Sequence, residues 1–378
     1  MKFRYSLLAG AVGLALLSPA SAETDLDKLK AEIATLKKEV ESAAEWKRPR
    51  TLVHMAGYAD VGFTDTESEP GTFKVGSFAP ILHYQIDNTV MLEAELEFSV
   101  DELGETEVGL EYLTIDWFIN DYVALVAGKF LSPLGQFRQN LHPSWINKMA
   151  SAPVGFGHDQ AAPNAEVGVQ FRGGFGLGSA SANYAVYVGN GPTLEADAGE
   201  IEMIETPGLG GNGDGAFVGG GRFGLLFPGP KLEVGLSAAS GKVAVRTATN
   251  PITYDVNRGY AVIGADLAWR PGNFDVRAEY IRQSVGDAAG SVAPAGGDWT
   301  AWYAQVAYRF LPSKWEIVAR YSNYDTPHDS QDRVQAAAGV NYVFESNFVA
   351  KLGYEYNDNH NAGFDADDRV LAQLAYGF

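Results

Sequence analysis

The sequence predicts an all-β fold: a 16-stranded antiparallel transmembrane β-barrel preceded by a short periplasmic coiled-coil helix. Three observations predict the barrel. Segments in which apolar and polar residues alternate recur from residue 52 to the C-terminus. The connections between these segments are alternately very short and long, and aromatic residues crowd beside the short connections.

Residues 1–22 are predicted to be a secretory signal peptide. Lys2 and Arg4 give a basic start, an apolar run follows, and residues 20–22 (Ala-Ser-Ala) form a small-residue cleavage site. A membrane-anchoring helix is the alternative, but the run is shorter than the roughly 20 apolar residues that span a bilayer. The chain has no Cys, so neither disulfides nor thiolate metal sites are expected.

Residues 23–45 are predicted to form a periplasmic coiled-coil helix that assists self-association. The apolar residues follow spacings of three and four, and the flanking charges match between chains, Asp25 with Lys30 and Glu32 with Lys37. A lone amphipathic helix lying on another domain is the alternative. The predicted oligomerisation residues are Leu26, Leu29, Ile33, Leu36 and Val40.

Residues 46–51 are a linker, and residues 52–378 form the predicted barrel. Turns such as 87–88 and 120–121 are two residues long, whereas every second connection is longer and polar. An even number of up-and-down strands places both chain ends on the short-turn side. The candidate strands lie near 52–63, 72–86, 89–100, 107–119, 122–131, 165–175, 179–189, 214–227, 231–246, 258–270, 274–284, 298–310, 315–325, 332–344, 348–358 and 367–378.

Aromatic residues and the C-terminal strand indicate that the apolar face of the sheet meets lipid. Trp117 and Phe118 flank one short turn, and Phe310 and Trp315 flank another. A ring of aromatics at one end of a barrel is typical of the membrane interface. The chain ends in VLAQLAYGF, an alternating run up to a terminal Phe that resembles the closing strand of outer-membrane proteins.

The longest connection, residues 132–164, is predicted to fold into the lumen and narrow it. It carries Phe137, Trp145 and Ile146, which are costly to leave in water, and ordered loops of this length are usually functional. Barrels of about 16 strands enclose an aqueous channel with room for such a loop. A lid outside the barrel or over a neighbouring subunit is the alternative.

Residues 89–100, TVMLEAELEFSV, carry three glutamates on the polar face of one strand. Like charges on one face repel each other, and Glu is a poor strand former. On the barrel interpretation, Glu93, Glu95 and Glu97 face the lumen, where we expect water to tolerate them without partners. The apolar residues between them then face lipid or a neighbouring subunit.

The segment around the long loop resembles a known family. Residues 128–148 (GKFLSPLGQFRQNLHPSWINK), 153–157 (PVGFG) and 168–175 (GVQFRGGF) resemble the phosphate-selective porin O and P family, most strongly over 120–190. With its N-terminal heptads the chain also resembles trimeric dicarboxylate porins that carry a periplasmic coiled coil. The resemblance implies a homotrimer in the Gram-negative outer membrane, in contact with lipid, with the N-terminal helix in the periplasm.

The expected function is passive diffusion of small hydrophilic solutes and ions through the lumen. The resemblance implies anions such as phosphate or dicarboxylates, whereas the net charge of −19 favours cations and argues against a nucleic-acid partner. The predicted pore-lining residues are Lys129, Arg138, Lys148, Arg172, Arg277, Arg320, Glu93, Glu95 and Glu97.

Neither enzymatic activity nor a cofactor or metal site is expected. The sequence lacks the HExxH and GxSxG motifs, and its six His are dispersed. The acidic stretch 357–368 could bind Ca²⁺, but external acidic loops more often meet water. The alternative function is that of an outer-membrane barrel enzyme or adhesin.

Overall fold

The computed structural model describes residues 34, 35, 37, 51–101, 103–206, 212–328, 331–358 and 367–378. The chain divides into two compact units, 1–51 and 52–378, and residues 34, 35 and 37 of the first are helical. The predicted signal peptide lies outside the described residues. The five predicted oligomerisation residues Leu26, Leu29, Ile33, Leu36 and Val40 also lie outside them. None of the described helices is long and apolar enough to cross a membrane.

The second unit is a closed antiparallel barrel of sixteen strands, as the sequence predicts. The last strand pairs with the first, with Tyr58 opposite Gly377 and Thr66 opposite Arg369, so no edge is left open. The barrel strands are β1 (Thr51–Thr66), β2 (Thr72–Ile86), β3 (Val90–Val100), β4 (Thr106–Asn120), β5 (Val123–Leu131), β6 (Ala165–Leu177), β7 (Ala180–Gly189), β10 (Val218–Phe227), β11 (Leu232–Val243), β14 (Arg258–Trp269), β15 (Phe274–Val285), β16 (Gly297–Arg309), β17 (Trp315–Asp325), β18 (Arg333–Glu345), β19 (Phe348–Asp358) and β20 (Arg369–Gly377).

Two further hairpins, which the sequence analysis did not predict, lie in long connections at the external end. They are formed by β8 (Thr193–Asp197) with β9 (Glu200–Glu205), and by β12 (Arg246–Thr249) with β13 (Ile252–Tyr254). Leu194, Ile201 and Ile204 of the first hairpin are buried in the same apolar cluster as Val243 and Val245. This packing orders a connection that local sequence alone marks as a loop.

The strands alternate between an apolar outer face and a largely polar inner face. Leu236, Ile263 and Leu352 point outward and are more than half exposed on the barrel surface. Inward-facing positions carry buried polar residues such as Gln335 and Asn341. This distribution is that of a barrel whose outside meets lipid and whose inside meets water or protein.

A belt of aromatic side chains lies at the short-turn end of the barrel, along β15 to β20. Neighbouring ring centroids lie 4.6 to 4.9 Å apart in the stretch from Phe274 to Phe348. The belt continues to Tyr376 and Phe378 of the C-terminal strand at 6.0 and 6.3 Å. The predicted concentration of aromatics beside the short turns is therefore present along these strands, and the terminal Phe belongs to it.

Candidate functional site

The loop 132–164 lies inside the barrel and is attached to its inner wall on several sides. A single turn of π-helix, Phe137–Leu141, follows its first bend. The infolded arrangement favoured by the sequence is therefore the observed one, and the external lid is not. The wall contacts are Gln136 Nε2 to Glu233 Oε1 (2.8 Å), Phe137 N to Glu279 Oε2 (3.0 Å), Asn341 Nδ2 to Lys148 O (2.9 Å), Lys351 Nζ to Met149 O (3.0 Å) and Arg320 Nη1 to Ser151 O (2.8 Å).

Apolar side chains of the loop hold it against β15 and β16. The rings of Phe137 and Phe156 lie 6.0 Å apart and meet Tyr303 at 6.2 and 5.0 Å, all with edge-to-face geometry. Both phenylalanines are almost fully buried, and burial of each contributes about 1.5–3 kcal/mol. Gly135, with φ +87°, brings the backbone so close to Glu279 that a Cβ would collide with the carboxylate.

The three glutamates of β3 face the lumen, as predicted, but their environments differ. Glu95 is only 1% exposed and accepts a hydrogen bond from Tyr58 Oη at 2.9 Å. His142 of the loop lies 4.0 Å from the same carboxylate. The expectation that water alone tolerates these glutamates is therefore wrong for Glu95, because the infolded loop removes it from solvent and protein groups replace the water.

Glu97 belongs to a cluster at the external side of the same wall. A carboxylate oxygen of Glu97, a carboxylate oxygen of Glu111 and a ring nitrogen of His158 lie within 4.8 Å of one another. These three residues line a cavity of the lumen, and Arg138 of the loop lines it as well. Burial lowers the pKa of Arg138, while the carboxylates of Glu111 and Glu97 oppose this shift. The guanidinium stays charged and balances these acids, which disfavours a cation between them.

Arg138 has an unusual position among the lumen cations. Its Nε donates a hydrogen bond to Asn164 Oδ1, and the side chain is 8% exposed. Its Nη2 has no hydrogen-bond partner among the described residues. Because Nη2 is buried, Arg138 would act on a permeating ion through its charge from the side of the cavity, without direct contact.

The other predicted cations of the inner wall are paired with acids. Arg172 pairs with Asp116, and Arg320 is fully buried against Glu355. Such charges have already lost much of their attraction for mobile ions. The remaining pairs are Lys148 Nζ to Glu316 Oε2 at 2.9 Å and Arg277 Nε to Asp275 Oδ1 at 2.6 Å.

Lys129 does not line the lumen, which corrects the sequence analysis. On β5 the inward positions are Val126 and Phe130, which are buried in the cluster that contains Phe137 of the loop. Lys129 lies between them on the outer face, opposite the exposed Leu113, and its Nζ reaches Leu110 O. The prediction failed because the inner face of β5 packs against apolar residues of the infolded loop. On this strand the apolar positions therefore face inward, whereas on strands such as β3 the polar positions do.

Two cavities flank the loop beside the acidic wall. The larger, of about 620 Å³, extends toward the short turns and is lined by Glu93, Glu95 and Arg172. The smaller, of about 420 Å³, contains Glu97 and Arg138. His142 lines both cavities and therefore lies between them.

The acidic partners of the wall cations are the residues that the sequence analysis missed. Each occupies an inward position flanked by outward apolar residues, as Asp116 does between Ile115 and Trp117. That signal was present in the alternation, but which cation each acid meets depends on the inter-strand register. The missed partners are Asp116, Glu316, Glu355, Asp266 and Asp275.

The C-terminal part of the chain matches a protein family. A family model described as phosphate-selective porin O and P matches residues 229–378. This confirms the predicted family resemblance, although the match lies C-terminal to residues 120–190, where the motifs looked most similar. None of the curated proteins matches this sequence.

Solved outer-membrane barrels share the fold at low sequence identity. An anion-selective porin from Comamonas acidovorans is 12% identical, with a TM-score of 0.59 over 87% of this chain and 100% of that chain. OmpT of Vibrio cholerae in its trimer form is 13% identical, with a TM-score of 0.55 over 87% and 100%. OmpF of Salmonella typhi, in complex with daunomycin, is 13% identical, with a TM-score of 0.50 over 86% and 97%.

Proposed function

We propose that this chain, similar over residues 229–378 to the phosphate-selective porin O and P family, is an outer-membrane porin for passive diffusion of small hydrophilic solutes and ions. The infolded loop 132–164 carries this proposal. It leaves a cavity on each side of His142 inside a closed barrel with an apolar exterior. Sixteen-stranded barrels are wide enough for water and small solutes.

The proposed route of the solutes runs between the loop and β3. Glu93 and Glu97 lie on one side of this route, and Arg138 and His142 lie on the other. Opposite charges across a narrow passage create a transverse field that orients polar solutes. In this proposal residues 132–164 are the constriction, and solutes are selected by size and dipole more than by net charge.

The ion preference that we propose is modest. The family name and the anion-selective porin of Comamonas acidovorans favour anions such as phosphate or dicarboxylates. The glutamates of β3 oppose a strong anion preference, and most described cations of the wall already have acidic partners. We therefore expect the permeabilities of K⁺ and Cl⁻ to differ by no more than about threefold, a fraction of a kcal/mol at solvated charges.

We also propose a homotrimer in the outer membrane, with the N-terminal helix in the periplasm. The heptads over residues 26–40 support self-association. Lys129 provides independent support, because it lies on the outer face of β5. A charge on the lipid face of a barrel is costly, and a neighbouring subunit that covers this face would remove that cost.

The diffusion proposal can be tested by swelling of proteoliposomes. Liposomes that contain the purified barrel should swell in isotonic monosaccharide, more slowly in disaccharide, and hardly at all in larger oligosaccharides. This size dependence is expected because the loop narrows the lumen without closing it. Swelling rates equal to those of protein-free liposomes for every sugar would contradict the proposal.

A further inference from the structure

Two histidines and a glutamate from three adjacent strands meet near the short-turn end of the barrel. His54 is on β1, His83 on β2 and Glu93 on β3. The two Nδ1 atoms face each other at 3.3 Å, with ring centroids 5.5 Å apart and an interplanar angle of 29°. Glu93 lies directly across the strand pair from His83. None of these three groups is needed to anchor the infolded loop.

The separation of the two imidazole nitrogens suits a shared metal ion. Two nitrogens bound at about 2.0–2.1 Å to a tetrahedral centre are about 3.3 Å apart. The lone pairs must turn toward one point, and the broad χ2 preference of His makes this rotation inexpensive. Without an ion, the same contact is a hydrogen bond in which one Nδ1 donates to the other.

Glu93 supplies the interaction that usually supports a metal-binding histidine. Its Oε1 lies 3.4 Å from Nε2 of His83. A carboxylate on the far nitrogen holds the proton there, fixes the tautomer and leaves Nδ1 free as a ligand. The cross-strand pairing of the two residues keeps this orientation without help from a loop.

The surroundings leave room for solvent ligands. His54 is exposed and His83 half-buried, and Glu93 lines the larger lumen cavity. An ion held by two imidazoles would complete its coordination with water. Imidazole nitrogen selects Zn²⁺, Cu²⁺ and Ni²⁺ over the oxygen-seeking Ca²⁺ and Mg²⁺.

We propose that His54 and His83 form a binding site for a divalent transition-metal ion at the periplasmic mouth of the lumen, with Glu93 positioning His83. This proposed site differs from the prediction made from the sequence, which expected no metal site because the six His are dispersed along the chain. Metal binding itself does not depend on the proposed diffusion function, because it concerns three side chains of the folded barrel.

The site can be tested by electron paramagnetic resonance with Cu²⁺ and by calorimetry with Zn²⁺, on barrel purified without a polyhistidine tag. We expect one ion per chain, nitrogen couplings from imidazole in the Cu²⁺ spectrum, and no competition from excess Ca²⁺ or Mg²⁺. His54→Ala and His83→Ala should each abolish this binding. Glu93→Gln should weaken it by about 10- to 100-fold, the usual effect of losing such a supporting carboxylate.

His328→Ala is the matched control, since His328 lies in an external connection and contacts Glu200 and Ile201. It should leave Zn²⁺ affinity unchanged. If an alanine variant fails to fold, His83→Gln keeps the size and polarity of the side chain and should still lose the ion. Unchanged Zn²⁺ affinity in the folded His54 and His83 variants would overturn the proposal. A parent barrel that binds no Zn²⁺ at neutral pH would overturn it as well, and would leave the pair as a simple hydrogen bond between imidazoles.

Discussion

At the scale of single residues, the lumen charges differ in how much attraction they retain for a mobile ion. Arg172 and Arg320 have carboxylate partners within 4 Å, and their fields are largely cancelled at a distance. Arg138 donates its side-chain hydrogen bond to Asn164 rather than to a carboxylate, and it lines the cavity that contains Glu97. Each ion pair as a whole should therefore contribute little to selectivity, whereas Arg138 should contribute as a single charge.

Arg138→Ala should shift selectivity toward cations. One unit charge at about 10 Å in water changes the energy of a monovalent ion by about 0.4 kcal/mol, a factor of about two in permeability. Reversal potential across a KCl gradient measures this ratio, and Arg138→Lys should preserve the parent value. Neutralising an ion pair instead, in Arg172→Gln combined with Asp116→Asn, should give a smaller shift because the net charge of the wall is unchanged, and an equal shift would contradict this account of the pairs.

Lys129→Glu should weaken the proposed trimer without changing selectivity. The side chain lies outside the lumen, so the reversal potential of a single pore should stay within experimental error. Charge reversal at a covered face should lower the temperature at which the trimer dissociates in detergent gels. A changed reversal potential with an unchanged trimer would place this side chain in the lumen after all.

The facing of individual residues was only partly predictable from the sequence. The alternation of apolar and polar residues correctly predicted that Glu93, Glu95 and Glu97 face the lumen, because the outer face of β3 is apolar throughout. It placed Lys129 on the wrong face of β5. The inner face of this strand packs against apolar loop residues, so both of its faces carry apolar side chains and the alternation does not distinguish them. The contact of His54 with His83 depends on the register between β1 and β2, which the external connection alone does not determine.

At the scale of elements, the loop 132–164 is held by charged groups of the barrel wall. Arg320 donates to Ser151 O and Ser151 Oγ, both at 2.8 Å, and to Ala152 O at 3.1 Å. Lys351 and Glu279 hold two other points of the loop. Buried backbone groups that lose such partners cost about 1–3 kcal/mol each, so the loop conformation depends on the wall as much as on its own sequence.

Arg320→Met should loosen the loop while leaving the barrel closed. Carbonyl groups of the loop lose their donor, so we expect noisier single-channel currents and faster tryptic cleavage after Lys148. Arg282→Met is the matched control, because Arg282 pairs with Asp298 on the exposed outer surface. Equal proteolysis rates in both variants and the parent would show that Arg320 does not hold the loop.

The sequence predicted that this loop folds inward but not where it attaches. Phe137 and Trp145 indicated burial, and a wide lumen offered room for the loop. The attachment points Glu279, Arg320 and Lys351 lie more than 100 residues away, and their role follows from closure of the barrel. Contacts of this kind are set by tertiary geometry and leave no local pattern.

At the scale of the whole molecule, strand number and order were almost fully predictable. Each strand carries its own period-two signal, and the short turns at one end fix the up-and-down order without long-range information. The two hairpins in the long connections were missed because their strands are short, and the first of them packs against Val243 and Val245, which local sequence does not indicate. The N-terminal heptads stay a prediction.

Deletion of residues 23–45 should weaken the proposed trimer without opening or closing the pore. Fewer than three heptads are marginal alone, so the barrel faces should still associate, but the dissociation temperature should fall. Replacement of Ile33 and Leu36 by Ser should reproduce the deletion. An unchanged dissociation temperature in both would favour the alternative of a lone helix over a trimeric coiled coil.

The most direct test of the central claim is the conductance of the purified barrel in a planar bilayer. The account predicts stepwise, ohmic increases in current that persist in salts of different ions, with a reversal potential that indicates modest selectivity. Arg138→Ala should keep the steps and change only the reversal potential. Barrels that are folded and inserted but produce no steps would contradict the claim that the lumen is an open path for solutes.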